Sequence, residues 1–168
     1  VDGIVYTVSG NSVYALAAED GTELWAYEAD NFVSPPVVVG GTVYVGSLDN
    51  NIYALDTEDG AEQWTYETYE QRGGQQGAVR SMPAVTDGIV YAGSEENQFY
   101  ALDAEEGTEE WAVEAGGGSY SSAAVTSDII YVGVTTYSED SEDTLGRVYA
   151  LDTEDGAEQW IYETDSRV

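Results

Sequence analysis

The chain has 168 residues, 42% of them hydrophobic, with 33 Asp and Glu against four arginines and a formal net charge of −29. It holds no cysteine, histidine or lysine, which excludes disulfides, thiolate or imidazole metal sites, and catalysis by Cys or His. No apolar run approaches the roughly 20 residues of a membrane-spanning helix, and so anionic a surface is a poor partner for nucleic acid or anionic lipid.

Val1 opens with no basic or apolar leader region, so any signal peptide lies outside the sequence. Residues 1–6 (VDGIVY) align with residues 39–44 (VGGTVY), which places the start of the first repeat unit at its second strand. Tyr14-Ala15-Leu16, Gly21 and Trp25 follow, the first copy of a cassette in which Gly trails Tyr by seven residues and Trp trails Gly by four. In the second unit, Pro36 to Val39 reads as a first strand, Gly40-Gly41 as a tight turn and Thr42 to Ser47 as a second strand. Asn51 to Asp56 reads as the third strand, carrying Tyr53-Ala54-Leu55. Asp59-Gly60 supplies the positive φ of a tight hairpin, and Glu62 to Thr68 the fourth strand with Trp64.

A long link, Tyr69 to Arg80, leads to the third unit, with Tyr100-Ala101-Leu102, Gly107 and Trp111. The fourth carries an enlarged turn, Thr135 to Arg147, then Tyr149-Ala150-Leu151, Gly156 and Trp160. Gly46, Gly93 and Gly133, each two residues after a second-strand tyrosine, suit close approach of backbones. The tryptophans stand 39, 47 and 49 residues apart, in the range of a four-stranded propeller blade. No stretch keeps a helical apolar period, so the pattern predicts an all-β partial propeller of four antiparallel four-stranded blades, at residues 1–29, 30–68, 69–115 and 116–168. Residues 53–68 and 149–164 differ only at Thr65 against Ile161, which argues for a shared structural role rather than two active sites.

The cassette resembles the tryptophan-docking repeat of the quinoprotein (PQQ-repeat) propeller family, Ala-x-Asp-x-x-Thr-Gly-x-x-x-Trp. Its Ala, Asp, Gly and Trp are matched at Ala54, Asp56, Gly60, Trp64; at Ala101, Asp103, Gly107, Trp111; and at Ala150, Asp152, Gly156, Trp160. The first unit keeps Ala15, Gly21 and Trp25 but has Ala17 for the Asp, and the family's Thr becomes Asp20, Asp59, Glu106 or Asp155. The resemblance implies that each Trp wedges between its own blade and the Gly-containing turn of the neighbour. It also implies a seven- or eight-bladed ring, of which this chain is half. Joining Trp160 through Val168 to Tyr6 leaves 14 residues, where the same step takes 19, 27 and 20 inside the chain, so a four-bladed closure is short by a strand. The chain is then either a piece cut from a longer protein or a half that self-associates with a second copy.

Family enzymes hold the quinone and a Ca²⁺ with Glu, Asn and Asp, often beneath a vicinal cysteine pair. No residue context here matches that set, so no cofactor, metal or catalytic residue is expected. The resemblance points to the family's non-enzymatic branch: a scaffold for protein–protein interaction, extracytoplasmic or at the cell surface. A truncated quinone-dependent dehydrogenase and a carbohydrate-binding or sensor module are the alternatives. Acidic, lysine-free yet regular composition resembles that of proteins from extreme halophiles, and so an archaeal source. Strand parity puts the Tyr69–Arg80 link and the Thr135–Arg147 turn on one face, a candidate recognition face with Arg72, Arg80, Arg147, Tyr69 and Tyr137. The run at 138–143 (SEDSED) offers oxygens to a hard cation but lacks the glycine of a Ca²⁺ loop.

Overall fold

The computed structural model describes residues 3–32, 34–68, 77–95, 97–115, 121–137 and 144–164. Among the described residues there are only strands, turns and loops. β1 (Ile4–Ser9), β2 (Ser12–Ala17) and β3 (Glu23–Glu28) form a three-stranded sheet. The second sheet holds β4 (Val37–Val39), β5 (Thr42–Gly46), β6 (Asn51–Asp56) and β7 (Glu62–Glu67). β8 (Ala84–Thr86), β9 (Ile89–Gly93), β10 (Gln98–Asp103) and β11 (Glu109–Glu114) form the third. β12 (Ala124–Val125), β13 (Ile129–Tyr137), β14 (Thr144–Asp152) and β15 (Glu158–Thr164) form the fourth. Every sheet is an antiparallel meander in chain order, so the fold is the all-β partial propeller that the repeat predicts. The first blade has three strands among the described residues, with β1 in the second-strand position.

The core lies between blades, because successive side chains of a strand face opposite ways. On β6, Tyr53 and Leu55 pack toward the first blade with Val13, Ala15 and Trp25, while Ile52 and Ala54 pack toward the third with Val90, Tyr100 and Leu102. Central strands are thus buried on both faces, and only outer strands such as β7 alternate between buried and exposed. A blade alone buries neither face; stacking supplies the core.

One expectation about turns needs correction. Gly40 and Gly41, at φ 62° and 90°, do form the tight turn between β4 and β5. The turn around Asp59-Gly60 falls between β6 and β7 as expected, with Gly60 at φ 74°, and Leu55 pairs with Glu62 after a register shift between Ala54 and Leu55. That bulge recurs at Ala15/Leu16, Ala101/Leu102 and Ala150/Leu151, and the extra residue makes room for a turn closed from Gly60 N to the Asp56 carbonyl at 3.0 Å. The Thr135–Arg147 segment, by contrast, is not mainly a turn. β13 runs on to Tyr137 and β14 starts at Thr144, because β-branched and aromatic residues (Val134 to Tyr137) continue the ladder.

Gly46 does sit where backbones crowd: a Cβ there would lie 2.6 Å from the Val79 carbonyl oxygen of the incoming third blade.

Candidate functional site

Across three strands of each blade the same triple stands in register: Tyr6, Ala15, Trp25; Tyr44, Ala54, Trp64; Tyr91, Ala101, Trp111; and Tyr131, Ala150, Trp160. The alanines are fully buried. The Tyr and Trp rings close over them, with centroids 5.8, 5.9, 6.0 and 5.8 Å apart. A larger residue at Ala54 would push the two rings apart, which is why the cassette is so spare there.

The first three indoles then reach the next blade. Trp25 Nε1 donates to the Thr57 carbonyl at 3.0 Å, Trp64 Nε1 to Ala104 at 3.0 Å, and Trp111 Nε1 to Thr153 at 3.2 Å. The Tyr6 and Tyr44 hydroxyls donate to the same Thr57 and Ala104 carbonyls. The indoles lie over Gly60, Gly107 and Gly156, where a Cβ would come within 2.5–2.8 Å of ring atoms. Two residues beyond the indole, Tyr27 donates to Glu62 and Tyr66 to Glu109 of the following blade. Val113 holds that place between the third and fourth blades and packs on Gly156.

The turns that receive the indoles are fixed by carboxylates. Asp56, Asp103 and Asp152 Oδ1 accept from the amides of Glu58, Glu105 and Glu154 at 2.7–2.8 Å. Asp59 and Asp155 cap the amides of Ala61 and Ala157, and Asp20 caps Thr22. Acid at the family's threonine position therefore keeps an acceptor where the turn needs one. The first blade, with Ala17, closes the same turn through its backbone alone, Gly21 N to the Ala17 carbonyl at 2.8 Å.

A serine motif escapes the sequence reading. Ser34, Ser81 and Ser121, each twelve residues before Gly46, Gly93 or Gly133, accept from that glycine's amide at 2.7, 3.2 and 2.9 Å. They pin the segment entering each blade against its second strand.

On the loop face, the Arg80 Nε bonds Glu95 Oε1 at 2.7 Å and ties the incoming link to the β9–β10 turn. Arg147 is misplaced by the sequence reading: it stands within β14, opposite Val134 and Glu163, and bonds the Glu163 carboxylate at 3.0 Å. These two arginines are each paired within their own blade. Tyr137 pairs through its backbone with Thr144. Tyr69, Arg72 and residues 138–143 lie outside the described residues. A cavity of about 430 Å³ opens on this face between the first two blades, lined by Asn11, Glu28, Ala29, Asp30, Asp49, Asn51 and Tyr53. Tyr53 donates to Asp49 Oδ2 at 2.7 Å, and Asn51 Nδ2 to Asp49 Oδ1 at 3.0 Å. Three carboxylates on its wall favour a cationic or hydrogen-bond-donating visitor over an anion.

Burial holds the phenols of Tyr44 and Tyr91 above the ordinary value near 10. Burial raises Tyr27 and Tyr53 as well, reinforced by the hydrogen bonds and charges of Glu62 and Asp49. These phenols bind their protons more tightly in the folded than in the unfolded chain. Their contribution to stability is complete below about pH 10 and is lost as pH rises through the folded values. Thermal melts should be flat from about pH 8 to 9.5 and fall steeply by about pH 11. An unchanged melting temperature at the upper pH would contradict the phenol assignment.

The model of PQQ-type repeats described as outer membrane protein assembly factor BamB matches residues 1–77 and again 70–167. The chain belongs to this PQQ-repeat family. Solved propellers agree on the fold. BamB from Moraxella catarrhalis is 23% identical with a TM-score of 0.77, over 98% of this chain and 50% of that one. Quinohemoprotein alcohol dehydrogenase ADHIIG from Pseudomonas putida HK5 is 22% identical with a TM-score of 0.81, over 98% of this chain and 33% of that one. The designed protein Ika4 is 19% identical with a TM-score of 0.65, over 88% of this chain and 84% of that one. This chain thus spans half of the BamB structure and a third of the dehydrogenase. No curated protein matches it in sequence.

Proposed function

We propose that the chain is a non-catalytic propeller scaffold for protein–protein interaction, working outside the cytoplasm in concentrated salt. The observation that carries this reading is the match of the BamB-type repeat model along nearly the whole chain, since that family is described by assembly rather than by a reaction. The loop face supplies a surface for it, with a carboxylate-walled cavity and long links between blades. No helix among the described residues is long and apolar enough to cross a membrane.

A dehydrogenase propeller would need donors for a quinone and its Ca²⁺. The chain has no cysteine pair, and among the described residues no three acidic side chains converge as a metal-holding group. The residues present do not fit that group.

The two readings separate in one experiment. The immobilised chain and a Glu28→Lys, Asp30→Lys variant of the cavity wall are exposed to envelope extract of the source organism in multimolar KCl, and the unmodified chain is titrated with PQQ and Ca²⁺. The scaffold reading expects a protein partner retained by the native chain and lost by the variant, with no quinone absorbance carried. Quinone binding with dye-linked alcohol oxidation would overturn it.

A further inference from the structure

The three junctions inside the chain share one pattern, but the third is made with fewer bonds. In the first, Trp25 Nε1 and the Tyr6 hydroxyl share the Thr57 carbonyl, and Tyr27 donates to Glu62. In the second, Trp64 Nε1 and the Tyr44 hydroxyl share the Ala104 carbonyl, and Tyr66 donates to Glu109. In the third, Trp111 Nε1 reaches the Thr153 carbonyl at 3.2 Å, against 3.0 Å for the other two indoles. Tyr91 is as buried as Tyr44, yet among the described residues its hydroxyl makes no matching bond.

The glutamate of the third junction also lacks its donor. Glu158 pairs with Leu151 across the bulge, as Glu62 pairs with Leu55 and Glu109 with Leu102. At the place of Tyr27 and Tyr66, however, stands Val113, which has no proton to give. The indole shows the consequence: Trp25 and Trp64 are 8% exposed, whereas Trp111 is only partly buried. None of these differences involves the outward face of the first or the fourth blade. Deeper in the same junction the packing is complete. Ile130, Val132 and Val134 are fully buried in one cluster with Tyr91, Phe99 and Leu151. The missing bonds would all end on the β14–β15 turn or at the start of β15, so this junction is tight within and loose at its outer flank.

We propose that the junction between the third and fourth blades is a hinge. Its outer flank opens and closes about the apolar core beside it, while the first two junctions stay shut, because stacked repeats yield at their weakest interface. The blade beyond the hinge carries the two longest strands among the described residues, β13 and β14. Movement there swings the β13–β14 ladder against the cavity between the first two blades, whatever that cavity binds.

The indole protons report each junction separately, since an Nε1–H bonded to the next blade exchanges with solvent only when its junction opens. Their exchange into D₂O is followed by NMR on the 168-residue chain in about 3 M KCl. The Trp111 proton should exchange faster than those of Trp25 and Trp64 by roughly 10-fold or more, the effect of one or two absent hydrogen bonds. Tyr66→Phe keeps the ring and removes the donor, and should speed the Trp64 proton by roughly 5-fold while leaving Trp25 unchanged. Val113→Tyr supplies the donor opposite Glu158, and should slow the Trp111 proton relative to Val113→Phe, which adds the ring alone. Equal rates at the three docked indoles would overturn the proposal, as would rates that neither Tyr66→Phe nor Val113→Tyr moves.

Discussion

Gly107→Ala is expected to destabilise the chain by about 2–5 kcal/mol, although the substitution adds one methyl group. Two separate costs meet at this position. The residue sits at φ 69°, in the left-handed region, where a non-glycine residue loses about 1–2 kcal/mol. Its Cβ would also stand 2.5 Å from the Trp64 ring. The indole has no room to retreat, held by its bond to the Ala104 carbonyl at 3.0 Å and by the Tyr44 ring. Overpacking of that kind adds about 1–3 kcal/mol. Gly88→Ala is the control, because Gly88 has φ 79° with nothing within 4 Å and should show the backbone cost alone. Urea unfolding at constant high salt compares them. Equal losses would mean that the indole yields freely and that the contact is loose. Trp64→Ala alone should cost about 3–5 kcal/mol, and combined with Gly107→Ala the losses should fall well short of additive.

The cassette is legible in the sequence because both its parts answer to one contact. An indole laid over a left-handed turn demands glycine, so Trp and Gly recur at fixed spacing and mark every blade. Other parts of the junction leave no such trace. The bonds from Tyr27 to Glu62 and from Tyr66 to Glu109 join residues 35 and 43 apart, and no local periodicity signals a pairing at that range. Ser34, Ser81 and Ser121 went unread, although their shared distance of twelve residues from a glycine is a usable signal. Asp59-Gly60 marks the turn and its positive φ, whereas the bulge after Ala54 that widens it has no local signature. On the loop face the acidic run at 138–143 hid strand formers on its flank, so Arg147 was read as part of a loop when it belongs to β14.

Lowering the salt should unfold this chain, and its melting temperature should rise by roughly 10 °C or more between about 0.01 and 0.5 M KCl. The formal charge of −29 is left almost uncompensated, since the described residues form two salt bridges, Arg80–Glu95 and Arg147–Glu163. Each outer strand adds exposed acids, among them Glu23, Glu62, Glu110, Glu114 and Glu163. Unfolding spreads these charges apart, so repulsion opposes the compact state most when it is least screened. The Debye length shortens from about 30 Å at 0.01 M to about 3 Å at 1 M, which brings it below the width of one blade. Most of the gain should therefore fall below about 0.5 M, whereas exclusion of salt from apolar surface grows on at higher concentration. Glu105→Gln, Glu110→Gln and Glu154→Gln together remove exposed charge whose side chains the fold does not otherwise use, and should flatten the low-salt slope. A melting temperature that does not move below 0.5 M KCl, or a slope unchanged by the triple variant, would show that the carboxylates do not govern stability.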